Sequence, residues 1–307
     1  MDLETARAAK EDIQAIFARR GSRGRGFALG VAPAGGGYAI ALRASSPDDL
    51  NEYELAVVRQ RATGELDVHY TGAIAPLGSD RLVNVRSERG RLLERRLGIG
   101  SSVAHRDGSA GTLGFFARRN SDGILGLVSN NHVLALADGG QEGDPILHPS
   151  PADGGEAPRD LIARLCGDFP RLERRAPRVD CAFARLLPGI EYHSEEAWSR
   201  SPVLPEKAGA VAKIGRTTAA TKGRITAFEL NQVGVMYSSN RVIFFDGQIE
   251  IRSDDGSPFG AGGDSGSLVF TLPDYHPVGL LFALSATGTI YANPIDAVLS
   301  ELDVSFA

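Results

Sequence analysis

Three short stretches hold residue types that can move protons and attack a carbonyl. The run Gly262-Gly263-Asp264-Ser265-Gly266-Ser267-Leu268-Val269-Phe270 sets one serine in a glycine-rich turn that feeds an apolar strand. Such a turn holds a hydroxyl out of the fold with free backbone N–H groups around it, which makes Ser265 the candidate nucleophile. A serine hydroxyl is a weak nucleophile at neutral pH. It needs a base within hydrogen-bond reach and a further group to orient that base.

Upstream, the apolar run Ile124-Leu125-Gly126-Leu127-Val128 ends in Ser129-Asn130-Asn131-His132. A histidine at the end of a buried strand is fixed in position yet open to a cleft, so His132 can serve as the base. Between the two lies Arg178-Val179-Asp180-Cys181-Ala182-Phe183-Ala184, an acid at the mouth of an apolar strand. Asp180 is expected to be part-buried there, and a buried carboxylate needs a donor such as a histidine N–H. Each stretch alone is ordinary turn or strand-end chemistry; the set in one order points to covalent catalysis.

The order His132, Asp180, Ser265 discriminates among hydrolase folds. An α/β-hydrolase runs serine, acid, histidine and uses GxSxG, and Gly263-Asp264-Ser265-Gly266-Ser267 lacks the last glycine. The subtilisin order of acid, histidine, serine does not fit either. The three blocks resemble those of chymotrypsin-like (trypsin-like) serine proteases over roughly residues 97 to 307. Within that superfamily the chain is most similar to intracellular bacterial trypsin-like peptidases and plant narrow-leaf proteins. That likeness runs through Ala110-Gly111-Thr112-Leu113-Gly114, Ser129 to Ala135 and Ile290-Tyr291-Ala292-Asn293-Pro294-Ile295.

The resemblance implies a mainly β fold with two six-stranded antiparallel barrels and the site in the cleft between them. It implies that His132 takes the Ser265 proton, that Asp180 fixes the imidazole, and that the N–H groups of Gly263 and Ser265 form the oxyanion hole. The pocket for the residue before the scissile bond would involve Phe259, where many relatives carry an acid, and Phe282, Ala283 and Leu284 on the strand that pairs with substrate. The expected preference is for a small or apolar residue rather than arginine or lysine. In secreted relatives the aspartate matching Asp264 pairs with a freed N-terminus. Here Asp264 must find another partner, or a cut near Arg95-Arg96-Leu97-Gly98 must make one, and the expectation is that no cut is required.

The elements that must position these residues read as follows. Residues 2 to 20 place Leu3, Ala6, Ile13, Ile16 and Phe17 on one helical face, with Gly21 as a stop. Phe27 to Val31 and Tyr38 to Leu42 flank Gly35 to Gly37 as a hairpin, Tyr53 to Arg61 fits helix or strand, and Leu66 to Tyr70 with Ile74 reads as a strand and its exit. Residues 1 to 96 are therefore expected to form a small α/β domain ending in the arginine-rich linker Arg81 to Arg96, with the protease-like domain at 97 to 307. That N-terminal domain could inhibit, recruit or add stability. Beyond the linker, short apolar runs at Leu113–Ala117, Ile124–Ser129, Cys181–Leu187, Val211–Ile214, Gly223–Leu230, Val242–Phe245 and Val278–Leu284 alternate with Gly, Pro and Asp clusters at barrel spacing. Pro149 to Pro158 reads as an exposed loop, and Ile295 to Leu302 as a closing helix.

Composition narrows the classes. The 307 residues carry 33 basic and 38 acidic side chains, a net charge of −5, with no basic–aromatic cluster of the kind nucleic-acid surfaces use. No apolar run reaches the roughly 20 residues that cross a bilayer, and Met1 to Arg20 is charged throughout, so the expected location is the cytoplasm. The only cysteines, Cys166 and Cys181, suit a reducing compartment. No spacing suggests a metal or cofactor site, and His69, His105, His148, His193 and His276 are expected on the surface or in loops. The expected activity is that of a serine endopeptidase acting on protein or peptide substrates, as a possible homo-oligomer. The alternative is a non-catalytic peptide-binding or scaffold protein that keeps the cleft for strand addition.

Overall fold

The computed structural model describes residues 1–19, 26–77, 97–173, 177–193 and 201–307. The arginine-rich stretch 81–96 lies outside the described residues. Residues 1–77 form helix α1 (Leu3–Arg19), strands β1 (Phe27–Ala34) and β2 (Gly37–Ala44), helix α2 (Glu52–Arg61), β3 (Leu66–Tyr70) and the short β4 (Ile74–Pro76). Next come β5 (Leu97–Gly98), β6 (Ser102–His105), β7 (Gly111–Thr112), β8 (Phe115–Arg119), β9 (Leu125–Ser129), α3 (Asn131–Leu134), β10 (Pro145–Leu147), β11 (Leu161–Leu165), β12 (Ala182–Leu186) and β13 (Tyr192–His193). The last third holds β14 (Ala210–Gly215), β15 (Ala219–Asn231), β16 (Val233–Ser238), β17 (Arg241–Phe245), β18 (Gln248–Ser253), β19 (Leu268–Thr271), β20 (Pro277–Ser285), β21 (Ile290–Pro294), α4 (Ile295–Leu302) and β22 (Val304–Phe306).

The mainly β double-barrel architecture is present. Strands β14, β19, β20, β21, β18 and β15 pair in that order, and β15 pairs back onto β14, closing a six-stranded barrel. The other unit is a curled sheet in the order β22-β8-β9-β12-β11-β10-β6-β7. Its strands wrap Leu113, Phe115, Leu127, Val128 and Phe183, and Val298 and Leu302 of α4 pack into the same core. Apolar runs bounded by turn formers build both units, because a strand buried on one or both faces needs a side chain that fits a pleated surface.

The N-terminal residues join the second barrel's sheet. β1 pairs with the far end of β15, Leu29 opposite Asn231 and Val31 opposite Phe228, and β2 and β3 extend the sheet outward. Val31 and Ala6 lie in the same apolar core as Val269, Leu281 and Ile290. Arg43 on β2 reaches Glu250 on β18 through two hydrogen bonds of 2.6 and 3.0 Å, with Arg43 3% and Glu250 0% exposed. Removing one partner of a buried pair of this kind costs about 3 to 5 kcal/mol.

α1 buries Ala6, Lys10, Ile13 and Phe17, at helical spacing, while Leu3 and Ile16 of the expected face are only half-buried. Lys10 enters this apolar stripe because Nζ meets Glu229 Oε2 at 2.7 Å. The ambiguous 53–61 stretch is helical. Asn51 caps it by accepting from Glu54 N at 2.8 Å while Glu54 accepts from Asn51 N at 3.1 Å. His105 departs from the surface expectation: it sits on β6 at 1% exposure, with Nδ1 accepting from Asp107 N and Nε2 3.0 Å from Asp144 Oδ2. Within the 149–158 loop Ser150 is fully buried, its hydroxyl accepting from Ser102 at 2.9 Å. Both cysteines are free thiols. Among the described residues no helix is long and apolar enough to cross a membrane.

Candidate active site

His132 is delivered by the change from β9 to the single turn α3. The exit of β9 is fixed by Ser129, whose hydroxyl donates to Thr112 O at 2.7 Å, and by Asn130, whose amide donates to Asp180 O at 2.6 Å. Asp180 sits just before β12, 0% exposed. Its own N–H donates to Asn293 Oδ1 at 3.0 Å, and Asn293 is held in turn by Gln248 Oε1 at 2.7 Å. The acid is thereby tied to both units of the fold.

The three predicted residues come together. His132 Nδ1 lies 2.6 Å from Asp180 Oδ2, and His132 Nε2 lies 2.8 Å from Ser265 Oγ. The second carboxylate oxygen of Asp180 accepts from the His132 backbone N–H at 3.1 Å. With an ionised carboxylate as acceptor, Nδ1 carries the proton and Nε2 is left to accept from the serine hydroxyl. Ser265 is fully buried.

The turn before and after Ser265 depends on two glycines with φ of +94° at Gly263 and +91° at Gly266. A Cβ on Gly266 would stand 2.0 Å from Ser129 Oγ and 2.4 Å from Thr112 O, so both conformation and space demand glycine. The strand β7 pins the turn, since Thr112 N donates to Ser265 O at 2.8 Å and Thr112 Oγ1 donates to Gly263 O at 2.8 Å.

Asp264 finds an internal partner. Its carboxylate accepts from Thr217 N, Thr218 N, Thr218 Oγ1 and Ala261 N, and Lys213 Nζ of β14 stands 3.4 Å from Oδ2. Burial pushes the Lys213 ammonium down, and the charge of Asp264 works against that shift. The sequence held one signal for this lysine, a lone charge inside the apolar run Val211 to Ile214.

Sequence reasoning also missed Tyr237. On β16 it donates Oη to Asp180 Oδ2 at 2.5 Å, the oxygen that also faces His132. Burial, and then the charge of Asp180, push the phenol well above its ordinary range, so it stays a donor. The neighbouring Arg241 donates to Ala137 O at 2.7 Å and Asp138 Oδ2 at 3.0 Å. Those contacts hold Leu136, Ala137 and Asp138, three successive residues at φ of +52°, +52° and +81° just past His132. Left-handed backbone at such residues costs about 1 to 3 kcal/mol each and persists only where surrounding contacts over-determine it.

The residues expected at the specificity pocket divide between two cores. Phe259 is 1% exposed, its ring beside Gly223, and Leu284 packs against the same apolar group. The side chains of Phe282 and Ala283 point into another cluster with Phe245 and Tyr291. The register shift in β20 between Leu281 and Ala283 accounts for this division, because it breaks the strict alternation of faces.

No family model matches the chain, and no curated protein sequence does. Solved structures do align with it. Thermobifida fusca protease A is 14% identical over 69% of this chain and 99% of its own, with a TM-score of 0.45. A glutamic-acid-specific serine protease reaches 18% identity over 69% and 100%, with a TM-score of 0.46. A Nocardiopsis protease gives 16% over 69% and 99%, also at 0.46. These are similarities of fold to proteases; the chemistry of the site rests on its own geometry.

Proposed function

We propose that this chain is a serine endopeptidase in which His132, Asp180 and Ser265 cleave peptide bonds of protein substrates through an acyl-enzyme. The observation that carries the reading is the placement of one imidazole between a buried carboxylate at 2.6 Å and a serine hydroxyl at 2.8 Å. In this reading Ser265 Oγ attacks the substrate carbonyl as His132 Nε2 takes its proton. The same proton passes to the leaving amine, and water then releases the acyl group by the reverse sequence. Asp180 keeps the tautomer and stabilises the imidazolium, and the N–H groups of Gly263 and Ser265 meet the developing oxyanion, a contribution of about 3 to 4 kcal/mol per donor in comparable sites. Phe259 at the pocket floor favours a small or apolar residue before the scissile bond over a cationic one, because a buried charge without a partner is costly. Protein groups supply every proton transfer, so the reaction calls on no cofactor. We place the protein in the cytoplasm with protein or peptide substrates.

The test is intact mass after incubation with a fluorophosphonate, on the wild type and on Ser265→Ala. One adduct on the wild type and none on the variant supports the reading. Absence of any adduct after prolonged incubation at saturating probe, on the wild type and also on a variant of Leu77, whose carbonyl occupies the Gly263 N–H, overturns it and favours a peptide-binding scaffold.

A further inference from the structure

The chain's own residues 74–77 lie along the strand and turn that border Ser265. β4 runs antiparallel to β20, with Ile74 opposite Ser285, Ala75 opposite Leu284 and Pro76 opposite Ala283. One residue on, Leu77 N donates to Phe282 O at 3.2 Å, and Leu77 O accepts from Gly263 N at 2.6 Å. The Leu77 side chain is 1% exposed and lies in the apolar group that contains Ile225, Phe259, Leu281 and Ile290.

A peptide offering its carbonyl to Ser265 has to meet three demands here. It must pair as an extended strand with the free edge, set a carbonyl oxygen on an N–H of the turn, and fill the pocket beside that turn with a side chain. Residues 74–77 meet all three. The Gly263 N–H cannot serve an external carbonyl while it holds that of Leu77, and the fully buried Ser265 is what a filled cleft would produce.

We propose that Ile74–Leu77 is an internal occupant of the acyl side of the Ser265 cleft. It holds external peptides out, and its sequence Ile-Ala-Pro-Leu states the substrate class: extended peptides whose attacked carbonyl belongs to leucine or a similar branched aliphatic residue. The substrate part of this inference rests on the serine-peptidase reading. A segment tethered to its own site competes at an effective concentration of about millimolar, so an external peptide gains access chiefly when the segment leaves. Nothing among Ile225, Phe259, Leu281 and Ile290 offers a charge to pair with arginine, while all four suit leucine.

The experiment separates occupancy from chemistry. In a Ser265→Ala background, a fluorescein-labelled peptide ending in Ile-Ala-Pro-Leu is titrated by anisotropy against the parent and against the added substitutions Leu77→Asp and Leu77→Ala. Leu77→Ala empties the place without introducing a charge, which guards against a folding defect in the aspartate variant. Displacement is expected to tighten binding at least about 10-fold. Equal affinity for the parent and both variants overturns occupancy. With Ser265 intact, the fluorophosphonate is expected to label both Leu77 variants at least about 10-fold faster than the wild type. Both should hydrolyse an Ile-Ala-Pro-Leu reporter in preference to Ile-Ala-Pro-Arg, and a preference for the arginine reporter overturns the assigned substrate class. Tighter peptide binding with no labelling of any variant would uphold occupancy and remove the peptidase reading. Equal labelling rates with unchanged binding would do the reverse.

Discussion

Lys213 and Asp264 face each other with 3.4 Å between Nζ and Oδ2 and no exposure of either side chain. The carboxylate next to the candidate nucleophile is thus neutralised from within, by a cation on the first strand of the closed barrel. Its remaining acceptor capacity goes to the 217–218 turn and Ala261. The peptide that carries Ser265 acquires its shape without a newly freed amino terminus.

Replacing Lys213 by methionine keeps the bulk and removes the charge. The buried carboxylate of Asp264, keeping its hydrogen bonds but left without a counter-charge, is expected to cost about 3 to 5 kcal/mol, as for other buried pairs broken from one side. Urea denaturation should show the loss, and Ser265 should lose fluorophosphonate reactivity even below the unfolding transition. Full labelling with unchanged stability would contradict the role given to this pair.

Tyr237→Phe removes one hydrogen bond to Asp180 and nothing else of size. A hydrogen bond to a charged group contributes about 1.5 to 3 kcal/mol, and without it the carboxylate orients His132 less firmly, so kcat is expected to fall about 10-fold. A purely structural tyrosine would lower stability and leave kcat unchanged.

Gly266→Ala tests the turn itself. Alanine at φ of +91° with a methyl 2.0 Å from Ser129 Oγ has to displace either the serine turn or the end of β9. An unstrained glycine-to-alanine change stabilises by about 0.4 to 1 kcal/mol; here the expected result is instead a loss larger than that, with labelling of Ser265 abolished. Thermal unfolding together with intact mass reads both.

The docking of α1 should depend on pH. Burial pushes the Glu229 carboxyl up, but hydrogen bonds from Arg7 and Lys10 outweigh it and hold the group below its ordinary 4.5. A carboxylate held lower in the folded than in the unfolded chain contributes its stability in full above that unfolded value, and loses it as pH falls through the folded one. The wild type is expected to melt higher than Glu229→Gln at neutral pH, with the gap closing as pH falls below 4.5 and through the folded value. A gap that persists in acid would show that charge is not what joins the helix to β15.

The sequence made the central juxtaposition legible because each of His132, Asp180 and Ser265 stands beside an apolar run, and a polar side chain at a strand end has few places to go. Tyr237 was not legible. It approaches Asp180 from a hairpin 57 residues away, and no local spacing ties the two. Lys213 and Lys10 left a fainter mark, a single charge within an apolar face, which physics allows only where a partner waits. The Asn51–Glu54 capping box would have turned the ambiguous 53–61 stretch into a helix. β4 left only Ile74, legible as the exit of the strand before it, since three residues ending in proline carry no periodicity and owe their conformation to β20.

Strand β15 serves two masters along its thirteen residues, closing the barrel at one end and carrying β1 at the other. A fragment beginning at residue 97 would therefore not be a lighter version of the same protein. It would bare the backbone groups of β15 near Phe228 and Asn231, uncover Glu250 with its counter-ion gone, and leave β20 without its short companion. Open ladders of this kind recruit other chains. Trimming the amino-terminal third should yield a sticky, self-associating species, whose insolubility would be a property of the cut and not of the barrel.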